Sequence, residues 1–525
     1  MRLPMKRGCS VATVRKLKPK APKSLPASKP QTLKLSVRRT PELVIALVGA
    51  AGAGVTSVGD AFAKQLRDEF GYEPHIVKVS DLIRAQAAKI GKEIDPRARK
   101  AKQIESMQDV GNELRHINGS DYLAKLSVER IAEWRVKKQG YQGEGNGLGA
   151  ALPKRWVHIV NEVKHPEEVR MLRDVYGDLF WLVAVLADKE SLKRGLVGAQ
   201  VTEVEAAAII RRDENEAAPD GQKVRDTVQL ADYFVRNDPD HKDKLEGKAL
   251  SFLDLIFNIR VATPTADEAG MSKAFSAAAN SACLSRQVGA AAYSNTGELL
   301  GVGWNDVPRF GGGLYSFEDG ANDNRCFRWG GGICHNDSRK DKLHQQIIGA
   351  LKDSNILREG VIDDEVVFAL RTTDIRSLIE YSRSVHAEMA AILSVARTGE
   401  LGLIDGTLYV TTFPCHSCAR HIVAAGIKKV IYIEPYPKSL ATELHYDALF
   451  SGFSEDKKSK VQFVPYEGLA PRNIYRLFKH GIERKEQGKA RSQNRKTAEP
   501  VTRPPLDGFT VFEQVVVKEL TTLSA

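Results

Sequence analysis

The sequence predicts an α/β chain of two consecutive units, each a sheet with helices on both faces. Two observations carry this. From residue 42 to about 240, short apolar runs alternate with helix-like stretches, the pattern of a parallel sheet buried on both sides. Near 241–265 that series breaks off, and a second series of the same kind opens at Ala266. At 525 residues the chain also exceeds what one hydrophobic core organises.

In the first unit, assigned to 42–245, strands are expected at 42–48, 75–79, 156–161 and 179–185. Helical patterns lie between them, for instance at 58–70 and 165–176, and the glycine-rich stretch 140–149 reads as a long loop. The second unit, assigned to 246–480, opens with a helix over 266–284. Strands follow at 289–294, 407–412, 429–434 and 461–464. Between them, the glycine clusters at 310–320 and 329–337 read as an insertion or flap. Residues 481–525 read as a basic, polar tail without clear periodicity.

Composition narrows the function classes. The formal charge is +11, but residues 1–40 hold 12 Lys/Arg and no Asp/Glu, leaving 65 basic against 66 acidic residues elsewhere. The excess sits on a Pro-, Ser- and Lys-rich arm, 1–41, expected to be disordered. Such an arm suits docking on nucleic acid or an acidic partner, or is simply a solvated tail, as is the basic stretch 484–496. No apolar run reaches the length of a membrane span. The six cysteines, Cys9, Cys283, Cys326, Cys334, Cys415 and Cys418, come without an export signal, so metal ligands or free thiols are expected in a cytoplasmic protein.

Two stretches carry chemistry: SVHAEMAAIL at 384–393 and FPCHSCARHI at 413–422. His386, Cys415 and Cys418 supply one imidazole and two thiolates to Zn²⁺, leaving a fourth tetrahedral position open, as in catalytic sites. Glu388 stands two residues past the histidine, where a carboxylate would shuttle protons from a water acidified by the metal. The H-x-E…P-C-x-x-C pair is the signature of zinc nucleobase deaminases. A Cys-x-x-Cys alone suits a structural zinc or a redox pair, and His416 or His421 would close such a site. The joint occurrence of both stretches favours catalytic zinc.

The first unit opens on GAAGAGVTS at 49–57, placed after an apolar strand and before a helix. Gly49, Gly52 and Gly54 have the look of a phosphate-binding loop (P-loop), with Thr56 and Ser57 at the metal-hydroxyl positions. Position 55 holds Val55 where such loops carry lysine. Backbone N–H groups can still hold phosphate there, but phosphoryl transfer needs a cation that Lys64, Lys78, Arg84 or Arg212 would have to replace. A nucleoside triphosphate with Mg²⁺ is the expected ligand, bound without turnover.

Residues 266–466 resemble the deoxycytidylate deaminase branch of the cytidine deaminase fold, on SRQVGAAAYSNTGELLGVGWNDVP at 285–308 followed by the two zinc stretches. The resemblance implies a five-stranded mixed sheet with helices on both faces, and zinc ligands at two helix N-termini. It also implies a pocket bordered by Arg286, sugar contact by Asn305, and closed homo-oligomers. Some relatives hold a second, structural zinc, for which Cys283, Cys326, Cys334 and His335 are the candidates; reduced thiols in a flap are the alternative.

The first unit resembles a nucleotide kinase, on MQDVGNELR (107–115), RRDENE (211–216) and GQKVRDTVQLADYFVRND (221–238). The two units together resemble bacterial antiviral deoxycytidine nucleotide deaminases. That implies conversion of dCTP and dCMP to dUTP and dUMP during phage infection, control by the first unit through a regulatory nucleotide, and a small inhibitory RNA as partner for the basic segments. Two other readings stay open: a deaminase acting on bases in single-stranded nucleic acid, and a nucleotide- or RNA-binding regulator with a vestigial site.

Overall fold

The computed structural model describes residues 38–523 except 142–150, 198–200, 215, 217–219, 238–243, 372, 374, 376–377, 380, 400–401, 437, 453–458 and 479–482. The basic arm up to residue 37, with Cys9, and nearly all of the glycine-rich loop lie outside the described residues.

The first unit contains β1 (Leu43–Gly49), α1 (Val55–Asp68), β2 (Glu73–Lys78), α2 (Lys100–Asn118) and α3 (Tyr122–Lys137). It continues through β3 (Trp156–Asn161), α4 (Pro166–Tyr176), β4 (Phe180–Leu186), α5 (Glu203–Glu214), β5 (Tyr233–Arg236) and α6 (Leu245–Ile256). The five strands are parallel in the order β2-β3-β1-β4-β5. All seven residues of β1 are buried, because helices cover both faces, so the strand reads as a continuous apolar run. The strand order reverses about β1, so the loop at its carboxyl end sits at a switch point, where ligands bind in open α/β sheets. Helix α1 starts at Val55 rather than 58 because Gly54, in the left-handed region at φ 74°, ends the loop there.

Helix α4 starts at Pro166 under a reciprocal cap from His165 and Glu168. Glu168 also accepts a 2.8 Å hydrogen bond from Arg115 of α2, with both side chains buried.

The second unit contains α7 (Ala266–Ala278), β6 (Gly289–Tyr293), β7 (Leu299–Trp304), α8 (His335–Asp353), α9 (Ala387–Thr398) and β8 (Thr407–Thr412). After these come α10 (His416–Ala424), β9 (Lys429–Glu434), β10 (Leu449–Ser451) and β11 (Val461–Pro465). Among the described residues its sheet has six strands, β10-β11-β9-β8-β6-β7, one more than expected; the addition is the short edge strand β10. Strand β6 runs antiparallel to β7 and β8, and the others are parallel. Alternate residues face opposite layers. Ala291, Tyr409 and Ile431 join the core containing Met271 and Ala274 of α7, while Ala290, Ala292, Leu408 and Val410 join that of α9 and α10. Helix α7 ends at 278, short of the expected 284. Ser281 then donates to the Asn305 carbonyl (2.6 Å) and the Ala282 N–H to Asp306 (2.9 Å), turning the chain toward the site.

The chain does not end in the expected polar tail. After β11, the two-residue strand β12 (Gly468–Leu469) adds antiparallel to β5, at the edge of the first sheet. Helix α11 (Leu506–Leu523) then packs on the first unit, burying Leu506, Phe509, Val516 and Leu520. Its Glu513, fully buried, shares Arg135 of α3 with Glu42: Arg135 donates to both oxygens of Glu42 at 2.8 Å and to Glu513 at 3.1 Å. Burial raises both carboxylate pKa values above the usual range, against the pull of Arg135. The apolar spacing of this helix is visible in LDGFTVFEQVVVKEL, but the polar, basic stretch before it obscures the pattern.

His75 of β2 and His158 of β3 face each other, Nδ1 to Nδ1 at 3.2 Å, and His75 stacks on Trp134 of α3. Burial, then the neighbouring His158, pushes the His75 pKa down to about 3, and burial holds His158 well below 6.5. Unfolded histidines protonate near 6.5, so below that pH the unfolded chain takes up protons the folded chain refuses, and stability falls toward pH 3. We expect the fall in unfolding free energy from pH 7 to 5, read from denaturant titrations, to be shallower by up to one proton in His75→Phe, which keeps the ring stack.

Candidate metal centre and phosphate loop

The residue before α9 is His386 and the residue before α10 is Cys415, so both sit at helix N-termini, where the dipole favours anions. Local sequence sets this up. Pro414 stops the run that continues β8, after Phe413 N–H has donated to the Glu434 carbonyl (2.7 Å). The Cys415 sulfur accepts from the Cys418 N–H, capping α10. Helix α9 lies close on β7, because Gly303 has no side chain to collide with the backbone of Ala387 and Ala391. The Val385 N–H donates to the Asp306 carbonyl, fixing the residue before His386.

His386 Nδ1 lies 3.3 Å from Cys415 Sγ and 3.4 Å from Cys418 Sγ. Among the described residues, these three form the one group of His, Cys, Asp or Glu ligand atoms gathered as a metal site would require. A tetrahedral zinc, with its usual bond lengths to sulfur and nitrogen, separates such atoms by about 3.5 Å, so the donor set fits the metal. The electrostatics agree. A hydrogen bond with Cys418, aided by His386, brings the Cys415 thiol down to about 4, while Cys418 beside that thiolate is pushed up. His386 rises to about 9, first through its hydrogen bond with Cys415. Glu388 is 4% exposed and lies against Cys418, and burial raises its carboxyl to about 7.

The second proposed metal set is not assembled. Cys283, Cys326, Cys334 and His335 line the same cavity as His386, yet their ligand atoms do not gather into a site. Cys334 lies 3.5 Å from the Ser285 hydroxyl, and the His335 ring packs on Trp329. The flap turns on Gly330, Gly331 and Gly332, each in the left-handed region, and Cys326 lies within electrostatic reach of both Cys283 and Cys334.

Arg286 borders the cavity, 3.7 Å from Glu434 and over the Tyr436 ring. Asn305 also reaches the wall, but its amide is engaged: it donates to the Arg286 carbonyl (2.9 Å) and accepts from Val288 N–H (2.7 Å). These two bonds hold residues 286–288 at the cavity wall.

In the loop after β1, Gly52 and Gly54 both have left-handed backbones. Val55 is buried and packs toward Gly49, so it belongs to the core rather than to a ligand. Thr56 accepts from Asn161, 3.3 Å away, and Ser57 beside it is exposed. Three of the four cations considered from sequence are ion-paired. Lys64 pairs with Glu246, Arg84 with Asp81, and Arg212 with Asp109 and Glu216, while Lys78 closes β2. Lys164 stands at the loop, donating to the Gly49 carbonyl (3.0 Å) and to Asp213 of α5 (2.6 Å). Asp213 also accepts from the Ala51 N–H (2.7 Å) and from Gln108. Asp213 lies inside a stretch noted for kinase resemblance (211–216), but no spacing rule singles out either residue.

Comparison with known proteins bears on the second unit. Residues 264–434 match the family described as the cytidine and deoxycytidylate deaminase zinc-binding region. The deoxycytidylate deaminase of Enterobacteria phage T2 is 40% identical over 76 residues, 14% of this chain and 40% of that protein. The deoxycytidylate deaminase of Homo sapiens is 37% identical over 70 residues, 13% of this chain and 38% of that protein. The chain thus spans about 40% of the length of these curated relatives. The cyanophage S-TIM5 dCMP deaminase, solved with dCMP and dUMP, is 20% identical and aligns over 39% of this chain and 99% of its own, with a TM-score of 0.23.

We expect the purified chain to bind one zinc per protomer by elemental analysis. Cys415→Ser and His386→Ala should each lose it, while Cys283→Ser and Cys334→Ser keep it.

Proposed function

We propose that this chain is a zinc-dependent hydrolase that deaminates deoxycytidine nucleotides, dCTP, dCMP or both, to the uracil forms. The observation that carries this is a single geometry: the buried Glu388 carboxyl beside the His386, Cys415 and Cys418 donor set, at two convergent helix N-termini. The match of residues 264–434 to the deaminase zinc-binding region supports it.

Zinc held by the three donors would supply an acidified water as nucleophile toward C4 of cytosine. Glu388 accepts a proton from that water and delivers it to the ring nitrogen. It then assists the amino group, which departs as ammonia. Its burial serves this cycle, because a carboxyl poised near neutral pH can both take and give a proton. The enclosing flap and the wall of Arg286 and Tyr436 suit a mononucleotide better than an extended strand. We extend the proposal to depletion of dCTP in antiviral defence, on the resemblance of the two-unit arrangement.

The test is a product assay on the zinc-loaded chain with dCMP, dCTP, CMP, CTP and a cytosine-containing single strand. Uracil product is expected from deoxycytidine nucleotides. Glu388→Ala should keep zinc and melting temperature while turnover drops by about 10²–10⁴-fold. A folded Glu388→Ala protein with undiminished turnover would sink the assignment.

We also infer that the loop at 49–57 is a nucleotide-phosphate site held closed by Asp213, whose carboxylate accepts the Ala51 N–H as a phosphate oxygen would. Removing that charge in Asp213→Asn should tighten ATP binding with Mg²⁺ by roughly tenfold, the scale of one charge-assisted hydrogen bond. Hydrolysis should stay absent. Unchanged ATP affinity in equilibrium dialysis would contradict this reading.

A further inference from the structure

The cavity over Glu388 is not built by the second unit alone. It encloses roughly 850 Å³, and its wall includes Arg211 and Glu214 from α5 and Arg225 from the helical turn Val224–Val228, all of the first unit. Six arginine and lysine side chains line it against three carboxylates, so its field favours an anion more highly charged than a monophosphate.

The cations are ordered by their contacts. Thr412, three residues before Cys415, donates to Glu434 at 3.2 Å. Arg286 sits on the same carboxylate at 3.7 Å. Arg225 is also within electrostatic reach of Glu434, and its own Nε lies 3.4 Å from Asp226. Arg383, on another wall, is stacked 3.9 Å over Trp329 and donates to the Asn324 carbonyl. Arg211 is exposed and borders both this cavity and an adjoining groove with Lys193 and Arg212. Arg286 is thus tied, through Glu434 and Thr412, to the strand that leads to Cys415. Arg225 and Arg211 reach the cavity from the first unit, and Arg211 is exposed.

We propose that Arg225 and Arg211 bind the distal phosphates of a nucleoside triphosphate whose base lies at the zinc donors, so that the first unit sets the preference for dCTP over dCMP. This rests on the deaminase reading of the cavity. Guanidinium groups suit the part, since each presents a planar pair of donors to phosphate oxygens. A monophosphate would end at Arg286 and leave the two first-unit arginines unused.

The experiment uses the full, zinc-loaded chain carrying Glu388→Ala, with labelled dCTP displaced by dCMP, so that only ligand sharing the cavity is counted. Adding Arg225→Ala or Arg211→Ala should weaken displaceable dCTP binding roughly tenfold or more, the scale of one charged hydrogen bond. The dCMP affinity should stay within about twofold, and Arg225→Lys should recover part of the loss for dCTP by restoring a charge at the site. Equal losses for both nucleotides, no loss for either, or failure of dCMP to displace dCTP would each overturn the proposal. Turnover by the unmutated chain is measured alongside. If that chain makes no uracil product, the deaminase reading falls, while the binding comparison still decides the role of the arginines.

Discussion

One buried carboxylate holds the two units in register. Asp232, 5% exposed at the start of β5, accepts from the Leu182 N–H of β4 at 2.8 Å and from Arg173 at 3.0 Å. From the other half of the sequence, Arg472 and Asn473 reach the same side chain at 2.8 and 3.0 Å, and the Ala470 N–H meets its backbone carbonyl. A carboxylate this deep is tolerated only where donors surround it, and here two of the donors come from residues 240 positions away. Glu268 repeats the device one layer over, capping α7 while accepting the Leu469 N–H of β12.

The site itself follows from where polar ends meet. Two helices begin at the ends of apolar layers, so the residues that cap them, His386 and Cys415, are delivered to one point without any loop having to bend around a metal. Glu388 is the second residue of α9, against Cys418, where burial raises its carboxyl to about 7. The same burial that stabilises the layer prepares the acid-base group.

The alternation of apolar runs was enough to place β1, β3, β8 and β9, because central strands buried on both faces have little freedom in composition. The zinc donors were legible for another reason: metal chemistry demands particular atoms at fixed separations, and such spacing survives in one dimension. Edge features were not legible. Strand β10 is three residues long, β12 is two, and neither has a pattern at that length. Helix α11 carries its apolar spacing openly, yet the basic stretch before it masks the docking that Arg135 and Glu42 provide. Lys164 and Asp213 escaped because their meeting depends on how β3 and α5 pack, which no local signal encodes. The cysteines near the flap are a different case: residue type alone marked them, and their spacing in the chain obeys no metal-site rule.

The return of the chain to the first sheet has a consequence for anyone who would take the molecule apart. A cut between α6 and α7 separates the units in sequence but not in space: the downstream piece would carry away β12, α11 and the partners of Asp232, and the upstream piece would be left with a raw sheet edge and a bared apolar face. Neither fragment is a smaller version of the whole. Questions about how one half governs the other are better put by single side-chain changes in the intact chain than by scissors.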